Sequence, residues 1–257
     1  MLKIETLELT KIYNNYLKEK ESINKSEYQK KNPNKYYRAS GAGHCFKKHW
    51  YTINGYEGKE VDERSRRLLR LGTIVHEDIQ KAIEWDYKKT YEMELPEGAQ
   101  REFGYTTYTE YAVVIEELNV MGSADIVVIE DAESACIVDI KTTHSYKWKL
   151  MFGRAGDVNP GPMYQLQLGT YALGVCEQEE IPIENISMSL MYYKKDDSVM
   201  KAVQVNNAWI NSAKQYWKSL NETLEMVKDE SDLPRNTLNV PNERWECKYC
   251  QFEPICN

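Results

Sequence analysis

Between residues 103 and 142 the chain carries three successive runs of β-branched and aromatic residues, at about 103–116, 119–130 and 135–142. The segments between them, Glu116-Glu-Leu-Asn119 and Glu130-Asp-Ala-Glu133, are short and polar, which predicts a meander of hairpins. Helical periodicity brackets this block. Residues 62–85 place Leu68, Leu71, Val75, Ile79 and Ala82 on one stripe, and residues 163–177 return to the same period. A further strand pair, Ile186–Tyr193 and Met200–Val205, is joined by Lys194-Lys-Asp-Asp-Ser198, and a helix follows over 207–228. Helix, three strands, helix, two strands, helix is the order of an α/β layered domain with a mixed central sheet.

At 257 residues the chain lies near the upper limit of one hydrophobic core. With 42% hydrophobic and 28% charged residues, wholesale disorder is excluded. No apolar run approaches the roughly 20 residues that span a bilayer, and Met1–Thr10 lacks the apolar stretch of a secretion signal. The expectation is a cytoplasmic protein without membrane contact. A net charge of −7 argues against indiscriminate coating of nucleic acid. The charge is uneven, however: Lys11–Arg38 holds eight Lys/Arg against three Glu, and basic clusters recur at Arg64–Arg70 and Lys141–Arg154. Such runs read as solvated helix faces. Interleaved with Tyr36, Tyr37, Trp50, Tyr51, Tyr146 and Trp148, they read equally as a strand-binding surface, with rings for bases and cations for phosphates. Residues 1–38 form a polar, basic, partly helical arm that ends at the turn-prone Lys31-Asn-Pro-Asn-Lys35.

Six cysteines are present, and three of them crowd the C-terminus as Cys247-x2-Cys250-x5-Cys256. A C-x2-C pair brings two thiolates to one tight turn, where both reach the same metal. Cys136 and Cys176 sit in apolar surroundings and read as buried thiols. Cys45 instead follows the turn-like Ser40-Gly-Ala-Gly-His44 and leads into basic and aromatic residues, so it is the candidate fourth thiolate. Four sulfurs at irregular spacing suit an iron–sulfur cluster. The competing reading is a zinc knuckle completed by His44 or His49.

The chemistry-bearing carboxylates lie in the strand block. Asp125 stands in Gly122-Ser-Ala-Asp125, mid-strand, and the next strand ends in Asp139-Ile-Lys141. Period-2 alternation puts Asp139 and Lys141 on one face, and a hairpin through residues 130–135 makes Asp125 and Asp139 cross-strand neighbours. Adjacent carboxylates repel unless a cation sits between them, and hard oxygen ligands suit Mg²⁺ or Mn²⁺. A lysine beside them can balance charge on an attacked phosphate and act on the attacking water. An isolated Asp-x-Lys is otherwise a surface charge ladder. His76 lies on the first long helix, four residues after Gly72, a spacing that lets helix and sheet approach. Alone it reads as a core histidine, but turned toward the carboxylates it is a third ligand. Gln167 and Tyr171 share one face of the later helix.

Gly72-x3-His76, Gly122-x2-Asp125, Asp139-x-Lys141 and Gln167-x3-Tyr171, in that order, resemble the RecB-like branch of the PD-(D/E)XK nuclease superfamily. The cysteine set is similar to its iron–sulfur subgroup, which includes CRISPR-adaptation Cas exonucleases, AddB-type nuclease domains and phage-encoded relatives. The resemblance spans about residues 40–257. It implies a restriction-endonuclease-like mixed sheet flanked by helices over 39–257, with an iron–sulfur lobe formed by residues 40–51 and 245–257. It also implies a Mg²⁺- or Mn²⁺-dependent deoxyribonuclease, an exonuclease, that hydrolyses phosphodiester bonds with metal-activated water. His76, Asp125, Asp139 and the Ile140 carbonyl would hold the metal, Lys141 would act on water, and Gln167 and Tyr171 would orient the lysine or the strand. Cys45, Cys247, Cys250 and Cys256 would ligate a [4Fe–4S] cluster. DNA would be the partner, with recombination or CRISPR-adaptation proteins beside it, in a bacterial, archaeal or virus-infected cytoplasm. Asp139 stands where many members carry Glu, and Glu110 is an extra acidic candidate. A catalytically silent DNA-binding or assembly subunit on the same fold is the alternative, and the intact Asp125, Asp139 and Lys141 speak against it.

Overall fold

The computed structural model describes residues 6–91, 104–154, 156–233 and 244–256. In chain order the elements are α1 (Thr6–Lys31), β1 (Tyr37–Arg38), α2 (Phe46–Ile53), α3 (Glu63–Tyr91), β2 (Tyr105–Ile115), β3 (Val120–Glu130), β4 (Ser134–Thr143), α4 (Ser145–Phe152), α5 (Pro162–Glu179), β5 (Ile186–Lys194), β6 (Met200–Val205), α6 (Ala208–Glu225) and α7 (Arg244–Tyr249). The three expected central strands, the later strand pair and the helices around them are all present. Residue 103, where the first strand was expected to begin, lies outside the described residues, as does Asn257.

The sheet is mixed. Its order is β1-β3-β4-β5-β6, and β2 pairs with β3. The β2–β3, β3–β4 and β5–β6 ladders are antiparallel, as short hairpin turns require. The β4–β5 ladder is parallel, and its crossover carries α4 and α5. One edge of β3 is shared: β1 takes Val120 and Met121, while β4 takes Ile126 to Glu130. Residues 122–125 between these two ladders have no backbone partner strand on that edge. The Gly-x-x-Asp segment occupies this opening.

The core fills the space between the sheet and the α5–α6 pair. Val113, Val127, Ile137 and Leu190 from the strands meet Leu168, Ala172, Ile210 and Trp217 from the helices. Trp217 is fully buried, and its indole N–H donates to Thr170 Oγ1 at 2.8 Å, which leaves no buried donor unpaired there. Lys141 of β4 reaches α5, and a Cβ placed on Gly72 of α3 would lie 3.2 Å from the Thr142 hydroxyl. Successive strand residues point to opposite faces, so α3 and α5 cover opposite faces of β4.

Several sequence expectations are corrected. The apolar stripe of α3 is not a core stripe: Leu68 and Leu71 are exposed, and the residues α3 buries are Arg66 and Gln80. The reason lies in its neighbours. On the α1 side the contacts are polar, with Arg66 Nε 2.7 Å from Glu21 and Arg67 donating to Asn14 Oδ1 at 2.6 Å. The basic arm is thus a continuous helix over Thr6–Lys31 lying on α3, part of its charge matched by pairs such as Lys18–Glu60 at 2.8 Å. The segment after Cys45 is a helix rather than an open turn. Its Tyr51 and the earlier Tyr37 are buried, so neither ring belongs to a strand-binding surface. Among the described residues no helix is long and apolar enough to cross a membrane.

Gly122 carries a requirement of the fold into the site. A Cβ there would lie 2.6 Å from the Ala39 Cβ and 3.0 Å from the Tyr171 ring. Gly122→Ala should therefore lower unfolding stability by about 1–3 kcal/mol. Urea denaturation checks this, and unchanged stability would show that the 39–41 turn yields freely.

Candidate active site

Asp125 and Asp139 stand opposite each other at the first step beyond the β3–β4 ladder, whose last pair is Ile126↔Val138. At that step a side chain replaces the backbone rung, because Asp125 Oδ2 accepts the Ile140 amide at 2.6 Å. The Asp125 carboxylate is thus turned into the gap where the strands part. Of Ile140 it is the amide that makes this defined contact. His76 arrives from α3, with Nδ1 3.4 Å from the same Asp125 oxygen.

Asp139 is only 2% exposed. Lys141 Nζ lies 2.6 Å from its Oδ2, close as a charge contact but without hydrogen-bond alignment, so that buried oxygen lacks a hydrogen-bond donor. Its Oδ1 accepts from Gln167 Nε2 at 3.3 Å. Gln167 ties the cluster together: its Oε1 accepts from Lys141 at 3.0 Å, and its amide nitrogen also donates to the Tyr171 hydroxyl at 2.9 Å. The i, i+4 spacing on α5 thus aims both side chains at one lysine–carboxylate pair. Burial raises the Asp139 pKa, the Lys141 ammonium opposes that rise, and the Asp125 charge adds to it. Burial raises the Tyr171 pKa as well, with Asp139 adding, so the phenol keeps its proton. Two carboxylates and a misaligned lysine in a low-dielectric pocket are what a divalent cation would stabilise. As they stand, no group of three or more His, Cys, Asp or Glu among the described residues is arranged to hold a metal ion.

A cleft of about 520 Å³ opens beside the cluster, lined by Leu69, Gly72, Thr73, His76, Glu77, Gln80 and Glu110. His76 belongs to both. Gln80 went unnoticed in the sequence although it lies one turn after His76 on the same helix face. It is buried and donates to Glu110 Oε1 at 2.7 Å and to the Asp125 carbonyl at 3.2 Å. Glu110 also accepts from the Ser123 hydroxyl at 2.7 Å. It holds a left-handed backbone, φ 51°, where the β2–β3 register passes from Thr109↔Ile126 to Tyr111↔Ala124. This strained residue directly opposes Asp125.

The chain ends meet at a second place. Phe252 and Tyr51 are buried with ring centroids 5.2 Å apart, and the Lys59 amide donates to the Gln251 carbonyl at 2.6 Å. Cys45 precedes α2 there. Burial pushes its thiol up to about 11, the Lys48 amide opposes this, and nearby Cys250, Cys256 and Cys247 add to it. The four candidate sulfurs therefore converge, with Lys48 beside them. His49 is excluded from such a centre, since its Nε2 is engaged by the Gly41 carbonyl at 3.0 Å and the Tyr216 hydroxyl at 2.8 Å. The donor set fits a sulfur-ligated centre, but the sulfurs are not drawn into ligand geometry. Cys136 and Cys176 lie elsewhere, in β4 and α5, and both are half-buried.

A family model described as the PD-(D/E)XK nuclease superfamily matches residues 81–257, well over half of the chain. No curated protein matches. Among solved structures, SSO0001 is similar at 16% identity, covering 86% of this chain and 84% of its own, with a TM-score of 0.43. An alkaline exonuclease from Laribacter hongkongensis is 11% identical over 74% of this chain and 88% of its own, TM-score 0.43. A candidate exonuclease from Eubacterium rectale is 14% identical over 85% of this chain and 94% of its own, TM-score 0.46.

Proposed function

The chain belongs to the PD-(D/E)XK nuclease superfamily, and on that premise we propose that it is a Mg²⁺- or Mn²⁺-dependent deoxyribonuclease acting as an exonuclease. One observation carries the reading. Asp125 and Asp139 oppose each other where β3 and β4 part, and Lys141 is fixed between Asp139 and Gln167. A metal held by Asp125, Asp139 and His76, with Ile140 contributing its carbonyl, would act as a Lewis acid toward phosphate and lower the pKa of water.

The chain's own residues do the rest. Lys141 holds a positive charge within 2.6 Å of a buried carboxylate, placed to offset negative charge developing on a phosphate oxygen. Gln167 fixes the direction of that amine through Oε1 while its amide group holds Asp139. Tyr171 keeps the Gln167 amide from rotating, since it accepts the same group's hydrogen. Asp125 is fastened by the Ile140 amide, so its second oxygen is the one open to a ligand. A catalytically silent subunit would not need this lysine to be held on two sides.

Cys45, Cys247, Cys250 and Cys256 are proposed to ligate a [4Fe–4S] cluster that clamps α2 to the C-terminal segment. The support is their convergence and the exclusion of His49. The nuclease reading is tested by incubating the full chain with DNA labelled separately at each end, with Mg²⁺, with Mn²⁺ and with EDTA. The expected result is metal-dependent release of short products from an end. Products that appear equally in EDTA, or none under any condition, would overturn it.

A further inference from the structure

Immediately beyond Lys141 the surface changes character. The Tyr164 ring lies between two amines, with Lys141 Nζ 4.9 Å and Lys147 Nζ 4.3 Å from its centroid. Next along α4, the Tyr146 ring is stacked on His144 at 6.3 Å and is 70% exposed. The Trp148 ring, one residue past Lys147, has Lys194 at 6.0 Å and Lys201 at 5.8 Å. The nearby acids are already engaged: Asp196 accepts from the Ser145 amide and hydroxyl, and Asp197 pairs with Lys194 at 2.6 Å. Lys147 and Lys201 make no ion pair among the described residues. A chain of net charge −7 thus concentrates cations and rings on one face that begins at the lysine of the candidate site.

We propose that this face, α4 with Tyr164 and the β5–β6 hairpin, is a track for a single unpaired DNA strand running to the carboxylate pair. The proposal rests on the nuclease reading and narrows its substrate. Bases in a duplex have their faces covered by their neighbours, so an exposed tyrosine gains little from them. An unpaired strand offers open base faces, and base–ring stacking with flanking cations is how such strands are held without regard to sequence. Tyr146 and Tyr164 take bases, and Lys147 and Lys201 take the phosphates between them. Asp196 secures the N-terminus of α4 and so fixes where these side chains stand.

The test measures binding apart from cleavage. Fluorescence anisotropy in EDTA compares a roughly 20-nucleotide oligo(dT) with a blunt duplex of equal length, a span that allows several stacked bases. The proteins are the full chain, Tyr146→Ala, Tyr146→Phe, Lys147→Ala and, as a control on α6, Lys218→Ala. Tyr146→Ala should weaken oligo(dT) binding about tenfold and leave duplex binding within about twofold. Tyr146→Phe should restore it, and Lys218→Ala should change neither. Lys147→Ala should reduce the salt dependence by about 0.7 in log–log slope. Unchanged oligo(dT) binding by Tyr146→Ala, or equal losses on both DNAs, overturns the track. If the wild type still cuts DNA with Mg²⁺ in that case, the nuclease reading stands alone. A wild type that neither binds nor cuts overturns both.

Discussion

Asp139→Asn and Lys141→Ala each lower metal-dependent DNA cleavage by about a thousandfold, corresponding to roughly 4 kcal/mol of lost transition-state stabilisation. Asp139→Asn keeps the shape of a residue that is 2% exposed but removes the charge that a cation and Lys141 both need. Lys141→Ala removes the amine that Gln167 and Asp139 hold in place. The two groups act as a unit, so the double variant should be little worse than either single one. Steady-state digestion of end-labelled DNA measures this, with thermal melting of each variant to separate lost chemistry from lost fold. Removing one partner of a buried pair leaves the other charge uncompensated, so a modest loss of stability is expected alongside. Activity falling by less than about tenfold in a folded variant would place the chemistry elsewhere.

The second large effect concerns the sulfur site. Cys45→Ser and Cys250→Ser should each abolish bound iron together with the brown absorbance of a cluster. Each should also lower the melting temperature by about 10 °C, the consequence of losing roughly 4 kcal/mol of metal-linked stability in a chain of this size. The two residues come from opposite ends of the chain and meet around Tyr51 and Phe252, so their variants should behave alike. Cys176→Ser, on α5 and away from this place, should retain the metal. Metal analysis after anaerobic purification decides the matter. A colourless wild type with stoichiometric zinc would replace the cluster by a zinc site on the same sulfurs, and a metal-free wild type would remove both.

Much of this was legible because local pattern and tertiary demand agree. The three strands announce themselves through β-branched alternation and short turns, and opposing Asp125 to Asp139 follows once a hairpin is accepted. Gly72 and Gly122 mark close approaches that the structure contains, to Thr142 and to Ala39 with Tyr171. Other features were illegible for identifiable reasons. Helix α4 is eight residues without a clear apolar face, and its start depends on Asp196 from a distant turn. The α3 stripe misled because apolar spacing does not reveal which face meets a neighbour. That helix turns Gln80 toward Asp125 and Glu110 instead. The splay of β3 from β4, which turns a cross-strand pair into a candidate cation site, depends on β1 claiming the far end of the same edge. No property of residues 122–125 alone encodes it.

The central claim is that Asp125 and Asp139, with His76 beside them, bind one divalent cation where the strands part. Mn²⁺ binding followed by electron paramagnetic resonance, without DNA, tests it on the wild type, Asp125→Asn and Asp139→Asn. Tight binding by the wild type, weakened at least about tenfold in each variant, is the predicted result, since each substitution removes a charged oxygen ligand. Undiminished Mn²⁺ binding by both folded variants would contradict it.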